Sequence, residues 1–209
     1  IYETQENLAA ALEDYVAALQ LSPGKALINQ KVVEIYTKLN PNKDSQDFMS
    51  DLHTSLDERR KEEVLSEVFN IDAPEFQVTD FNGRSLNNTN MLGKVVFFDF
   101  WATWCNPCRR ELPEFQAFYD LYKDDPRVVF VAASTDQDKQ KVQPYIDEMK
   151  FTFPIAYAGD TATKFGVEGI PSLFIIGPQG KIRYKIVGFD PDKDFVREMT
   201  WRLESLLDS

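Results

Sequence analysis

Cys105 and Cys108 stand three positions apart and are the only cysteines in the 209-residue chain. Their spacing permits half of a zinc site, an inert local bridge, or a redox pair that opens and closes. A closed zinc site takes about four ligands, mostly Cys and His. His53 is the single histidine, so no metal is expected. A disulfide-stapled scaffold would spread several pairs along the chain. A redox pair or an inert bridge remains.

The elements that flank the pair weigh between the two. Val95 to Trp101 is apolar except for Asp99, the pattern of a buried central strand. A helix is expected from about Pro107 to Lys123, with Pro107 at its start, where a missing N–H costs nothing. Cys105 therefore falls just past a strand and Cys108 in the first turn of the next helix. A helix N-terminus presents unpaired N–H groups and a partial positive charge, which stabilise a thiolate, the species that attacks disulfides. This setting favours redox chemistry. Cys105, nearer the loop, is expected to be the exposed nucleophile, and Cys108, one turn inward, the resolving thiol.

Strands and helices alternate around this segment. Phe76 and Val78 alternate with polar residues, followed by an Asn82-Gly83 turn and a return strand near Ser85-Leu86. Val128 to Ala133 reads as a second buried strand, Val142 to Met149 as a helix, Ile155 to Tyr157 as a short strand, and Thr161 to Phe165 as a helical turn. Leu173 to Ile176 and Ile182 to Val187 are strands joined by Gly177-Pro178-Gln179-Gly180. Phe195 to Leu207 closes the chain as an amphipathic helix. The pattern implies a mixed α/β sheet covered by helices on both faces.

The first seventy residues differ. Leu8, Leu12, Tyr15, Val16 and Leu19 recur at helical spacing, and Ser22-Pro23-Gly24 then breaks the pattern. A second helix runs through Leu27, Ile28, Val32, Ile35, Tyr36 and Leu39 and stops at Asn40-Pro41. A third starts near Asp44 and carries Phe48, Leu52, Leu56, Val64, Leu65, Val68 and Phe69. The helix–Ser-Pro–helix arrangement from Ala17 to Pro23 faintly resembles a tetratricopeptide unit, over a fraction of one repeat and with no second copy in phase. A plain helical extension is the alternative. Composition changes at Asn70-Ile71-Asp72-Ala73-Pro74. This divides the chain into an N-terminal all-α region, residues 1–70, and an α/β domain, residues 71–209.

Phe98-Asp99-Phe100-Trp101-Ala102-Thr103-Trp104-Cys105-Asn106-Pro107-Cys108 resembles the active-site segment of the thioredoxin superfamily almost letter for letter. Gly169-Ile170-Pro171-Ser172 resembles its second hallmark, and Pro113 matches its helix-kinking proline. Three segments resemble the opening of the TlpA/ResA-like branch: Ala73-Pro74-Glu75-Phe76, Asn82-Gly83 and Leu92-Gly93-Lys94-Val95. The inserted helix and strand between Val142 and Tyr157, and Glu111, resemble that branch too. The resemblance covers about residues 73–209 and implies a thioredoxin-like fold.

It also implies roles. The Ile170-Pro171 bond would be cis and face the cysteines, offering backbone groups to an extended substrate chain. Trp104 would be an apolar rim for partner contact, whereas Trp101 fits rim or core equally. Asn106 and Pro107 would help tune redox poise. Asp99 would exchange a proton with Cys108, and burial should raise its pKa. Glu111, three residues past Cys108, would lie on the same side of the helix, near the active site. Arg109 either favours the Cys105 thiolate or is a solvated cation. Thioredoxin itself carries Gly-Pro between its cysteines. Asn106-Pro107 departs from that but keeps the proline of reductant-like members.

The expected activity is thiol–disulfide exchange with partner proteins, in the reducing direction and outside the cytoplasm. A membrane thiol carrier would recharge the pair, and no cofactor beyond the pair is expected. The net charge of −11 makes nucleic acid a poor partner. No apolar run, whether Val95 to Phe98 or Val128 to Ala133, is long enough to span a bilayer. The chain starts at Ile1 without Met, which suggests a processed or truncated piece of something longer, so the lack of a signal says nothing about secretion. Two alternatives stand beside this reading. One is a peroxiredoxin-like peroxide reductase, although the Pro-x-x-x-Thr-x-x-Cys setting of that branch is absent around Cys105. The other is a helical adaptor with an accessory redox domain.

Overall fold

The computed structural model describes residues 5–21 and 25–207, and within them the two sequence patterns become two architectures. Contacts divide the chain after Val64. The residues up to Val64, with Asp192–Asp194, form one unit, and Leu65–Pro191 with Phe195 onward the other.

The first unit holds α1 (Gln5–Leu21), α2 (Ala26–Leu39) and α3 (Ser45–Ser66). The expected break at Ser22-Pro23-Gly24 lies outside the described residues. Leu19, Val32 and Leu56, one from each helix, form the buried centre, ringed by Leu12, Val16, Ile28, Phe48 and Leu52. Tyr36 stacks on Phe48 with ring centroids 3.9 Å apart. Helix α2 ends at Asn40, whose backbone N–H donates to the Tyr36 carbonyl at 2.8 Å and whose side-chain amide donates to the same oxygen. Pro41 then has no N–H with which to continue the ladder.

Helix α3 stops at Ser66, short of the expected Val68 and Phe69. The sheet of the second unit competes for this stretch. The Phe69 N–H donates to the Arg183 carbonyl at 2.8 Å, and Arg183 Nε donates back to the Phe69 carbonyl at 3.0 Å. Both apolar side chains stay exposed.

The second unit runs β1 (Ile71–Asp72), β2 (Gln77–Thr79), β3 (Ser85–Asn87), α4 (Asn88–Met91), β4 (Val95–Trp101), α5 (Asn106–Tyr122), β5 (Val128–Ser134), α6 (Val142–Met149), β6 (Ile155–Tyr157), α7 (Thr161–Lys164), β7 (Ser172–Ile176), β8 (Lys181–Val187) and α8 (Phe195–Leu207). The main sheet has the order β1-β8-β7-β4-β5-β6. Strand β4 pairs parallel with β5 and antiparallel with β7, so the sheet is mixed. β2 and β3 form a separate hairpin. Its turn is held by Asp80, which accepts from the Asn82 and Arg84 N–H groups, and by Gly83 at φ +82°.

Strand β4 is buried along its whole length, and alternation sends its side chains to two faces. Val95, Phe97 and Trp101 pack with Phe130 and Ala132 of β5 and Leu173 and Ile175 of β7. Helices α5, α6 and α8 cover that face through Leu112, Phe115, Ile146, Met199 and Leu203. Val96, Phe98 and Phe100 lie on the other face, under Phe76, Val78 and Leu86 of the hairpin segment, Met91 of α4 and Phe165 after α7. One face is thus covered by three longer helices, and the other by a hairpin and two short helices. No helix among the described residues is long and apolar enough to cross a membrane.

Candidate active site

The site forms where β4 ends and α5 begins. Cys105 is the N-cap of α5, with extended backbone at φ −84° and ψ 107°. Its N–H donates to the Ala102 carbonyl at 3.1 Å, and its carbonyl accepts the Arg109 N–H at 3.0 Å. Its sulfur accepts the Cys108 N–H at 3.2 Å, the place an Asp or Ser oxygen holds in an ordinary cap. The two sulfurs are bonded at 2.11 Å, with Cα atoms 5.3 Å apart. When that bond opens, the same N–H and the positive end of α5 are aimed at the Cys105 sulfur.

Cys105 is less accessible than expected. It is 4% exposed against 0% for Cys108, so the order holds but neither cysteine is open in the oxidised form. The Ile170 carbonyl oxygen lies 3.6 Å from the Cys105 sulfur and covers it. The Ile170–Pro171 peptide is cis, as expected. Its loop is pinned on two sides: Ser172 Oγ donates to the Gly169 carbonyl at 2.7 Å, and the Gly188 N–H donates to the Pro171 carbonyl at 2.9 Å. The rim beside the pair is open to solvent. Trp104 is 68% exposed, Asn106 is exposed and Pro107 half-buried.

Trp101 belongs to the core, not the rim. It is fully buried, and its ring centroid lies 5.8 Å from that of Tyr145. Arg109 is exposed, and its guanidinium carbon lies 5.6 Å from the centre of the Tyr145 ring.

Asp99 lies in register between Ala132 and Leu173. Alternation along β4 points it to the face of Phe97 and Trp101, where α5 packs Cys108 and Leu112. It is fully buried, and neither carboxyl oxygen has a hydrogen-bond partner. Loss of hydration pushes its pKa up to about 8, opposed by the Phe100 N–H, which stays outside hydrogen-bonding geometry. Glu111 shares this environment. It is 1% exposed, and its Oε2 has no partner. Burial holds it well above the usual carboxylate range, and the negative charge of Asp99 raises it further.

A second cluster was not foreseen. Asp136, just beyond β5, is buried and accepts from the Thr103 N–H at 2.9 Å, the Thr103 hydroxyl at 2.6 Å and the Ser134 hydroxyl at 2.9 Å. The Thr135 N–H and hydroxyl both donate to the Trp101 carbonyl, at 2.8 and 3.0 Å. The signal in the sequence is the abrupt start of a polar run at Ser134-Thr135-Asp136, at the C-terminal end of an apolar parallel strand. Open α/β sheets place their sites at such ends.

Residues 70–185 match the AhpC/TSA family. A thiol-disulfide oxidoreductase ResA of Bacillus cereus is 35% identical over 121 residues, spanning 56% of this chain and 68% of the relative. Among solved structures, StoA from Bacillus subtilis is 28% identical with a TM-score of 0.53, covering 61% of this chain and 97% of its own. A thiol:disulfide interchange protein of the thioredoxin family from Chlorobium tepidum TLS is 25% identical with a TM-score of 0.56, covering 65% of this chain and 97% of its own.

Proposed function

The chain belongs to the AhpC/TSA family, and from that premise we propose that it is a thiol–disulfide oxidoreductase that reduces disulfides in other proteins. The observation that carries this reading is the Cys105–Cys108 disulfide capping α5 beneath the Ile170 carbonyl. The similarity to ResA and StoA supports it.

In the forward direction the Cys105 thiolate attacks one sulfur of a partner disulfide. The partner's second sulfur leaves as a thiolate and takes up a proton. Cys108 loses its proton and attacks the Cys105 sulfur, releasing the partner's first sulfur as a thiol. Two electrons have moved, the partner is a dithiol, and Cys105 and Cys108 are joined. No group beyond the two sulfurs is required. In this reading Asp99 receives the Cys108 proton, and Glu111 keeps a second proton in the same apolar bed. Trp104, Asn106, Pro107, Ile170 and Pro171 form the surface a partner chain meets. The helical unit, which ends at Val64 rather than at residue 70, serves as a separate module, and the second unit, from Leu65, carries the exchange.

The resemblance to the TlpA/ResA branch supports work outside the cytoplasm and recharging by a membrane thiol carrier. The absence of any third cysteine is consistent with a compartment where stray thiols would be oxidised.

Insulin reduction in dithiothreitol tests the reading. The wild-type chain should accelerate precipitation of the insulin B chain, and Cys105→Ser should abolish the effect. A wild-type chain no faster than dithiothreitol alone would overturn it. Peroxide consumption under the same conditions, lost in Cys105→Ser, would favour a peroxide reductase instead.

A further inference from the structure

We propose that Asp136 is a positioning residue for the exchange reaction, holding through Thr103 the turn that presents Trp104 and Cys105. The assignment rests on the exchange reading above. Between the end of β4 and the N-cap of α5 the chain has only three residues, Ala102, Thr103 and Trp104. Ala102 is fully buried and Trp104 is 68% exposed, so the chain must turn outward sharply at Thr103. Thr103 is gripped by both its backbone N–H and its hydroxyl, and both donate to the one carboxylate of Asp136.

That carboxylate is held in turn. The Ser134 hydroxyl donates to it and accepts the Asp136 N–H at 3.1 Å. Ser134 is locked into the sheet, where its carbonyl accepts the Ala158 N–H at 2.8 Å. The chain of contacts runs from the rigid end of β5 to the residue two positions before the nucleophile. A carboxylate is an acceptor only, with room for several donors, and here it receives three. It is the right group to satisfy two donors from one residue and fix both backbone and side chain. Displacing Cys105 would spoil its cap contact with the Cys108 N–H and its approach to an incoming disulfide. Misplacement of about 1 Å is costly in such a reaction.

The test compares Asp136→Ala, Asp136→Asn, Thr103→Val and Thr103→Ser in the full chain. Insulin reduction gives kcat and KM, and iodoacetamide alkylation of the reduced protein against pH gives the reactivity of Cys105. Thermal melting reports stability separately. Asp136→Ala should lower kcat/KM for insulin about ten-fold. It should also move the Cys105 alkylation profile to higher pH. Loss of a buried negative charge alone would move that profile lower, so a rise reports lost geometry. Asp136→Asn removes the charge but keeps an acceptor, and should recover most of the rate. Thr103→Val should repeat the defect and Thr103→Ser should relieve it.

If Asp136→Ala and Thr103→Val melt lower but keep the wild-type rate and alkylation profile, Asp136 is a purely structural residue and the assignment falls. If Asp136→Ala does not fold, the Thr103 pair decides by the same criteria. A wild-type chain inactive on insulin would sink the exchange reading, while the alkylation profiles would still decide the role of Asp136.

Discussion

Glu111, one helical turn beyond Cys108 on α5, lies within electrostatic reach of Asp99 on β4, and after burial the charge of Asp99 adds to the rise of the Glu111 pKa. The two carboxyls sit in the apolar layer between sheet and helix, and three of their four oxygens have no hydrogen-bond partner. Such groups destabilise a fold when ionised and persist where protons must be stored or moved. Asp99 changes its proton occupancy near pH 8, so its ionised form can receive a proton there, and burial holds Glu111 beside it well above the usual carboxylate range.

The stability of the domain should therefore carry a specific pH signature. Unfolded Asp99 ionises near 3.8 and folded Asp99 near 8. Between those values the folded form binds one more proton, so stability falls as pH rises through this window and levels off above it. Asp99→Asn does not titrate, and its own packing offset is the same at every pH. The melting temperature of Asp99→Asn minus that of wild type should rise from pH 4 to pH 8 and then flatten. A difference that stays constant with pH would mean that Asp99 is ionised in the fold.

The same substitution should slow the resolving step. With no base at hand, Cys108 must ionise unaided from an apolar site. Decay of a mixed disulfide at Cys105, followed by rapid quench at pH 8.5, where Asp99 is largely ionised, should be about a hundred-fold slower in Asp99→Asn. The deficit should shrink at higher pH, where the Cys108 thiolate forms without help. A deficit equally large at pH 8.5 and pH 10.5 would argue for distorted geometry rather than a lost base.

Much of this site was legible in the sequence, for physical reasons. Asp99 interrupted an apolar strand, and a seven-residue strand buried on both faces leaves a charged residue nowhere to go. The ends of β4, α6, β6 and α8 fell where apolar periodicity stopped. Other features had no periodic signal. β1 is two residues long and exists because Ile71 pairs with Ile182, 111 positions away. α4 is built from Asn-Thr-Asn-Met and is fixed by a capping box in which Asn87 and Asn90 exchange side-chain and backbone contacts. Val68 and Phe69 looked helical by pattern, but a long-range pairing with Arg183 overrode it. The low accessibility of Cys105 depends on the Ile170 carbonyl, and the role of Thr103 on Asp136, so neither could be read locally.

Trp104 offers a large apolar ring to solvent at 68% exposure. Trp104→Ala should leave the melting temperature nearly unchanged, because little is lost from the core. KM for insulin should rise about five-fold with kcat largely preserved, since the ring contributes contact area rather than chemistry. The rate with a small aromatic disulfide, which needs no extended surface, should change less. Equal losses on both disulfides would place Trp104 in the chemistry of Cys105 instead.

The division of labour between the sulfurs can be separated by trapping. Cys108 is fully buried one turn into the helix, whereas Cys105 lies at its cap beside the Ile170 loop. On this geometry Cys105 is the expected point of attack for an incoming disulfide, and Cys108 the expected resolving thiol. Reduced Cys108→Ser mixed with an excess of an oxidised peptide should accumulate a stable one-to-one adduct at Cys105, visible by intact mass and reversed by dithiothreitol. Cys105→Ser should form none, because its remaining thiol is buried and lacks the cap contacts that stabilise a thiolate. If Cys105→Ser formed the adduct as readily as Cys108→Ser, the two roles assigned from burial and helix position would have to be exchanged.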